Sequence, residues 1–563
     1  MRRWRGILTT MVAALAALGA VAGSAIAWEH HAPRPSPPPT ATPIKHVVVI
    51  FQENVSFDHY FATYPIASNS DGSTFYPSDR TPTVNGLGTL IKGEPAGVLL
   101  TSNPNFNNSA NAPNNINPFR LSHSEASTCD QDHNYGHEQQ AFDQGLMDLF
   151  PKSVGSGDGG FCNSFYSYGH GNGLVMGYFD GNTVTAMWNY AQNFAMSDNF
   201  YGTTFGPSTP GLLNLVAGNT YPANGTGTSP KLVLNSDGQY TLVGDLDPTG
   251  DVCSAGVTVL MGGQSVGDLL NAKGISWGSF MGGFDLTLTN PNGTSGCSRS
   301  SPATPANSLT VPPPANNFTN DYIPHHAFFQ YWASTANPTH TRPSVPPALY
   351  GTSADTGANH EYDTHDFFDA LDAGSLPGVS FLKAPANMDG HAGYSDPLME
   401  QQFVVNTINA IQESRFWKST AIFITWDDSD GWYDHQMSPI VNSSAQTDSG
   451  NSADSDNLNG TGKCGNGTPL MDASGNLIQG RCGYGPRIPL LVVSPYAKQN
   501  FVDHGLSDQS SILKFVEDNF GTGRVGNGSF DALAGSLNNL FDFDSREFGE
   551  RRLILDPTTG END

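Results

Sequence analysis

The chain has 563 residues and a formal net charge of -27 at pH 7, from 25 basic and 52 acidic side chains. That balance opposes non-specific nucleic-acid binding and repels anionic membrane surfaces, so an anionic substrate needs local positive help from a metal or from histidines. The length suits one large domain with insertions or two ordinary ones, and Gly 62 with Pro 39 points to many loops.

The chain opens with Met1-Arg2-Arg3-Trp4-Arg5, an apolar Ala-rich segment from Ile7 to Ala22, and Ala25-Ile26-Ala27. This is the n-region, h-region and A-x-A pattern of a signal peptide over 1–27, too short in its apolar part for a retained anchor, and it predicts export to the periplasm or the medium. Residues 28–43 form a Pro-rich linker. His46 to Phe51 is a continuous apolar, β-branched run, the pattern of a strand buried on both faces. It ends in Glu53 and Asn54, two hard oxygen donors where open α/β sheets place ligands. Residues 69–117 read as a surface excursion, and a helix is predicted over 137–150.

Farther along, Phe205-Gly206-Pro207-Ser208-Thr209-Pro210-Gly211 puts a lone serine before an apolar helix. Such a serine either caps the helix or presents its hydroxyl beside N–H groups that favour phosphate. Segments 189–200 and 212–217 read as helical or compact. Residues 219–320 lose periodicity, apart from a helix at 266–270 and a strand at 275–277 joined by Lys273-Gly274. A short strand at 378–382 and a helix carrying Val404, Ile408 and Ile411 lead to the run Ala421 to Trp426. That strand ends in Asp427-Asp428, adjacent carboxylates that repel unless a cation or proton lies between them. A strand at 490–493 and a helix at 510–520 follow. The predicted fold is α/β: a central mixed, largely parallel sheet sandwiched by helices with loop-rich insertions, in a catalytic domain over 44–545 followed by a tail over 546–563.

The six cysteines pair most simply as Cys129 with Cys162, Cys253 with Cys297 and Cys464 with Cys482, as disulfides of an exported chain. The two acid-tipped strands could converge on one divalent ion held by Glu53, Asn54, Asp427 and Asp428, which would activate the Ser208 hydroxyl as a nucleophile. Oxygen donors suit calcium, magnesium or manganese better than zinc.

The motif Glu53-Asn54-Val55-Ser56-Phe57-Asp58-His59-Tyr60-Phe61 resembles the signature of bacterial phosphoesterases, the secreted acid phosphatases and phosphatidylcholine-type phospholipases C of the alkaline-phosphatase superfamily. Asp132-His133, Gly206 to Pro210, His325-His326, Asp389-Gly390-His391 and Asp427 to Trp432 extend the likeness over Ile44 to Phe543. The resemblance implies an alkaline-phosphatase-like sheet with Glu53, Asn54, Asp427 and Asp428 on one metal and Ser208 beside it, forming a phosphoseryl intermediate. It implies further that His133, His391 and one of His325 or His326, with His326 preferred, contact the phosphoryl oxygens or protonate the leaving group. Imidazoles around a dianion have raised pKa values, which predicts an acidic optimum. His504 stands aside as a candidate near a second metal.

Phosphate-monoester hydrolysis is the first expectation, because Tyr64-Pro65-Ile66 follows the first motif where the phospholipase branch carries Arg-Gly-Phe, and because the chain ends soon after Phe543. Phospholipase C activity is the alternative, and a metal-stabilised binding protein without turnover is a third reading. The expected partner is a phosphorylated small molecule or lipid, with no nucleic acid and no stable membrane anchor.

Overall fold

A computed structural model of the chain describes residues 39–562, apart from 92–93, 158–165, 236, 305–317, 443, 445–451, 459–463, 465–481 and 545–550. The predicted signal peptide, most of the linker, and Cys162 lie outside the described residues. Cys253 is joined to Cys297 and Cys464 to Cys482, as sequence order implied.

The long apolar runs become the middle of an eight-stranded sheet. In chain order its strands are β1 (His46–Gln52), β2 (Ala195–Ser197), β3 (Trp277–Met281), β4 (Glu361–Asp363), β5 (Val379–Lys383), β6 (Thr420–Trp426), β7 (Leu490–Val493) and β8 (Phe501–Asp503). Their order across the sheet is β4-β3-β5-β1-β6-β7-β2-β8. β7 pairs antiparallel with both β6 and β2, while every other neighbouring pair is parallel. In the centre, Gln52 is level with Trp426, so the residues that follow, Glu53 and Asp427, leave the same edge side by side. Val47 to Phe51 and Ala421 to Ile424 are wholly buried, the burial that a strand covered on both faces requires.

The helices that flank this sheet are α1 (Phe57–Phe61), α2 (Tyr135–Phe142), α3 (Thr185–Asn193), α4 (Ser208–Ala217), α5 (Val266–Lys273), α6 (Thr364–Asp372), α7 (Pro397–Glu413) and α8 (Gln509–Phe520). α7 buries Val404, Val405, Ile408 and Ile411, and Asp396 caps it by accepting from the backbone N–H groups of Leu398 and Met399. The predicted helix at 137–150 starts two residues earlier and stops at Phe142, because Asp143 turns left-handed with φ 39°. The stretch at 189–200 divides into the end of α3 and strand β2. The aperiodic insertion contains a five-stranded sheet of two- to four-residue strands, too short to leave a period in the sequence.

One buried ion cluster ties α1 to the loop after β6. Arg487 donates to Asp434 at 3.0 Å and to Asp58 at 3.1 Å, and its guanidinium lies over the Phe57 ring at 4.3 Å. His435 Nδ1 stands 2.6 Å from Asp58 Oδ2, and its Nε2 3.2 Å from Asn85 Oδ1. Burial alone would push the His435 pKa down, but the Asp58 and Asp434 carboxylates outweigh it and the Arg487 charge, and the net direction is up. A histidine raised in the folded state contributes stability that is fully present below its unfolded pKa near 6.5 and is lost as pH rises through the folded value. The melting-temperature deficit of His435→Gln is therefore expected to be larger at about pH 5.5 than at about pH 9, and equal deficits at both would remove the ion pair from the account.

Candidate active site

Three neighbouring parallel strands deliver charge to one point. β5 ends in Lys383, β1 is followed by Glu53 and Asn54, and β6 by Asp427 and Asp428. Asn54 turns the chain with φ 66°, a left-handed conformation that asparagine tolerates better than most residues. The turn points its backbone N–H at Asp427 Oδ1, 3.0 Å away, and its side-chain N–H at Asp430 Oδ1, 3.2 Å away. After β6, Asp430 and Gly431 are also left-handed. A Cβ on Gly431 would stand 2.4 Å from the Asp132 carbonyl, so glycine is what lets the Asp132-His133 segment close onto this loop.

Helix α4 supplies the hydroxyl. Ser208 is the first residue of that helix, and the capping position belongs to Pro207, which makes no side-chain cap. The capping alternative therefore falls. The Ser208 hydroxyl donates to Glu53 Oε2 at 2.9 Å and lies 3.4 Å from Asp428 Oδ2. A Cβ on Gly211 would stand 2.2 Å from the Asp427 carbonyl oxygen, so the helix rests directly on the backbone of the Asp-Asp turn. Glu138 of α2 clamps both loops, accepting from the Gly206 N–H at 2.9 Å and the Ser429 hydroxyl at 2.8 Å. Burial raises its pKa to about 8.

The acids outnumber the cations. Burial, followed by the charge of Asp427, holds the Glu53 and Asp428 pKa values well above the ordinary range, and burial does the same for Asp389. Burial would raise Asp427 too, but Lys383 and the hydrogen bonds it receives draw it below. Carboxyls pressed together out of water need a proton or a cation between them. Asn54 Oδ1 is buried and has no hydrogen-bond partner among the described residues. With the oxygens of Glu53, Asp427, Asp428 and Ser208, it makes a donor set that fits a hard divalent cation. Three of the strongest candidates, Glu53, Asp428 and Ser208, converge directly, while Asn54 meets Asp427 through its backbone N–H.

The predicted histidines divide. His326 is buried with Nδ1 3.1 Å from Glu53 Oε1, whereas His325 turns away towards Asp247 at 3.5 Å with its side chain 30% exposed. His133 Nδ1 faces the Gln131 carbonyl at 2.9 Å and His391 Nδ1 the Ala392 carbonyl at 2.5 Å. The two rings approach edge to face with centroids 6.0 Å apart, and Asp130, His133, His391 and Asp430 each offer a ligand atom within 4.8 Å of the others. Burial lowers the pKa of His391, and of His326 more strongly, opposite to the expected rise, which requires the charge of a phosphoryl dianion beside them. His504 lies elsewhere, 68% exposed and 2.7 Å from Asp198. Sequence reasoning missed Lys383, whose ammonium pairs with Glu53 Oε1 and stands 3.3 Å from Asp427 Oδ2. It also passed over Glu138.

A family model described as the Phosphoesterase family matches residues 44–523. The non-hemolytic phospholipase C of Pseudomonas aeruginosa is 24% identical over 516 residues, covering 89% of this chain and 57% of the relative. The non-hemolytic phospholipase C of Burkholderia pseudomallei is 31% identical over 181 residues, covering 31% of this chain and 24% of the relative. Phospholipase C A of Mycobacterium tuberculosis is 21% identical over 533 residues, covering 92% of this chain and 81% of the relative. The chain thus spans little more than half the length of the Pseudomonas protein at most. A solved protein of the alkaline phosphatase superfamily from Vibrio parahaemolyticus has 12% identity and a TM-score of 0.24, covering 61% of this chain and 62% of that one.

Proposed function

The chain belongs to the phosphoesterase family, and from that premise we propose that it is an exported, metal-assisted phosphoester hydrolase with Ser208 as its nucleophile. One observation carries this: a serine hydroxyl at the N-terminus of an apolar helix, 2.9 Å from Glu53 Oε2 and 3.4 Å from Asp428 Oδ2. The carboxylates draw the proton off the hydroxyl, and the helix N-terminus favours the phosphate that it attacks.

A divalent ion held by Glu53, Asn54, Asp427 and Asp428 beside Ser208 would supply Lewis acidity towards the transferring group. In the first displacement the Ser208 oxygen bonds to phosphorus and the bond to the leaving oxygen breaks. A protonated imidazole, from His133, His326 or His391, passes its proton to that oxygen. In the second, water attacks the phosphoseryl group, the serine–phosphorus bond breaks, and Ser208 regains its proton. His326, with Nδ1 3.1 Å from Glu53 Oε1, is the preferred acid of the three, and the outward turn of His325 removes it from the set.

The names of the relatives put a phospholipid phosphodiester ahead of a monoester as substrate, reversing the order drawn from the first motif. Hydrolysis of a phosphocholine diester and of a chromogenic phosphate monoester, from about pH 4 to about pH 8 with and without chelator, decides between them. Faster diester turnover is the expected result. Faster monoester turnover with an acidic optimum would restore the acid-phosphatase reading, and no turnover of either would leave a binding protein.

Because α4 rests on the Asp427 backbone at Gly211, a methyl group there must lift the helix. Gly211→Ala is expected to lower kcat by about 10²-fold through the displacement of Ser208. An unchanged kcat in a folded variant would show that the contact does not position the nucleophile.

A further inference from the structure

Lys383 closes β5 with its ammonium 5.2 Å from the centre of the Phe51 ring, and its side chain is 1% exposed. A buried lysine keeps its charge only where acids and acceptors surround it. Here they are Glu53 Oε1, Asp427 Oδ2 at 3.3 Å and the Gln52 carbonyl at 3.5 Å. Around the same carboxylate, Glu53, His326 and Asp389 each present a ligand atom within 4.8 Å of the others. Two carboxylates and an imidazole at that spacing are a donor set that could hold a cation.

The oxygens divide into two halves. Glu53 turns Oε2 to Ser208 and Oε1 to Lys383. Asp428 Oδ2 faces Ser208, whereas Asp427 Oδ2 faces Lys383. One half therefore surrounds the nucleophile and the other surrounds an ammonium.

We propose that Lys383 Nζ is a built-in second cation of this centre, filling the half bounded by Glu53, Asp389 and Asp427 so that the protein takes one divalent ion, beside Ser208, and not two. The inference deepens the proposed function and rests on its metal centre. An ammonium has three donors and no lone pair, so it neutralises and orients the carboxylates without competing for substrate oxygens as a Lewis acid. It also fixes the Glu53 carboxylate from the side opposite the serine, which makes Lys383 a positioning residue and not a catalytic one.

The test measures metal content and stability, not turnover. Wild type and Lys383→Met are stripped with chelator, dialysed against Mn²⁺, assayed for metal per chain by elemental analysis, and melted in stripped and loaded forms. Wild type is expected to hold one equivalent. Lys383→Met is expected to hold two, to melt lower than wild type when stripped, and to gain more from Mn²⁺. One equivalent in Lys383→Met with unchanged stripped stability would overturn the proposal, as would two equivalents in wild type. Should Lys383→Met not fold, Lys383→Met/Asp389→Asn removes one charge of each sign. A folded double variant holding one equivalent supports the proposal, and its failure to fold overturns it. Wild type that binds no Mn²⁺ would sink the metal centre itself and both readings with it, whereas one equivalent in both proteins removes only the role of Lys383.

Discussion

Ser208→Ala is expected to lower kcat/KM for the preferred phosphoester by about 10⁴-fold or more while leaving the protein folded. A loss of that size corresponds to roughly 5.5 kcal/mol of transition-state stabilisation, the range found when a covalent nucleophile is deleted. The neighbouring hydroxyl does not replace it: Thr209, next in the helix, sends its hydroxyl to the His325 carbonyl at 3.2 Å. The structural cost is small by comparison. Ser208 is buried, and its hydroxyl's main partner is Glu53 Oε2, so losing that one hydrogen bond costs about 1 kcal/mol. Two measurements separate chemistry from damage. The melting temperature of Ser208→Ala should stay close to that of wild type, and a quenched reaction with labelled substrate should trap phosphoserine in wild type only. Full activity in Ser208→Ala would remove the nucleophile assignment whatever the family.

The acid-tipped strands were readable because their information is local. β1, β6 and β7 are apolar runs, the first two followed by acids, and Glu53 and Asp427 needed only the pairing of β1 with β6 to meet. β2, β4 and β8 are three residues each, and Glu361-Tyr362-Asp363 has no strand-like alternation of apolar and polar residues to read. Their strand character comes from neighbours across the sheet. Lys383 was hidden for a similar reason. A lysine after Ser380-Phe381-Leu382 looks like any solvated strand end, and only the neighbouring strand, more than 300 residues earlier in the chain, turns it into a buried ion pair. Glu138 sits in a helix of polar residues that reads as a solvated face, yet it is 1% exposed between the loops of Gly206 and Ser429. The choice between His325 and His326 is a matter of which ring faces inward, and adjacent positions in a one-turn helix carry no signal for that.

Arg487→Met is expected to be the most destabilising single substitution outside the catalytic centre, by about 3–5 kcal/mol, a large part of the roughly 5–15 kcal/mol that holds a domain folded. The guanidinium is wholly buried and four of its five N–H donors meet these acceptors: Nε on Asp434, Nη2 on Asp58, and Nη1 on the carbonyls of Asn85 at 2.7 Å and Asp198 at 3.0 Å. Methionine keeps the contact with Phe57 but strands two buried carboxylates and two carbonyls. In wild type, burial would raise Asp58, but His435 and Arg487 draw its pKa down; burial raises Asp434 to about 6 despite Arg487. A carboxyl depressed in the folded state contributes stability above its unfolded pKa near 3.8, lost as pH falls through the folded value. Without Arg487 both carboxyls move up, so the penalty grows as pH rises from the unfolded carboxylate range towards neutrality. The difference in melting temperature between wild type and Arg487→Met should accordingly be smallest near about pH 4.5 and widen by about pH 7.5. Arg487→Met/Asp434→Asn, which removes one of the stranded charges, should recover part of the loss at the higher pH and little at the lower. A penalty independent of pH and untouched by Asp434→Asn would mean that Arg487 holds α1 to the post-β6 loop by packing and carbonyl contacts alone, with its charge contributing nothing.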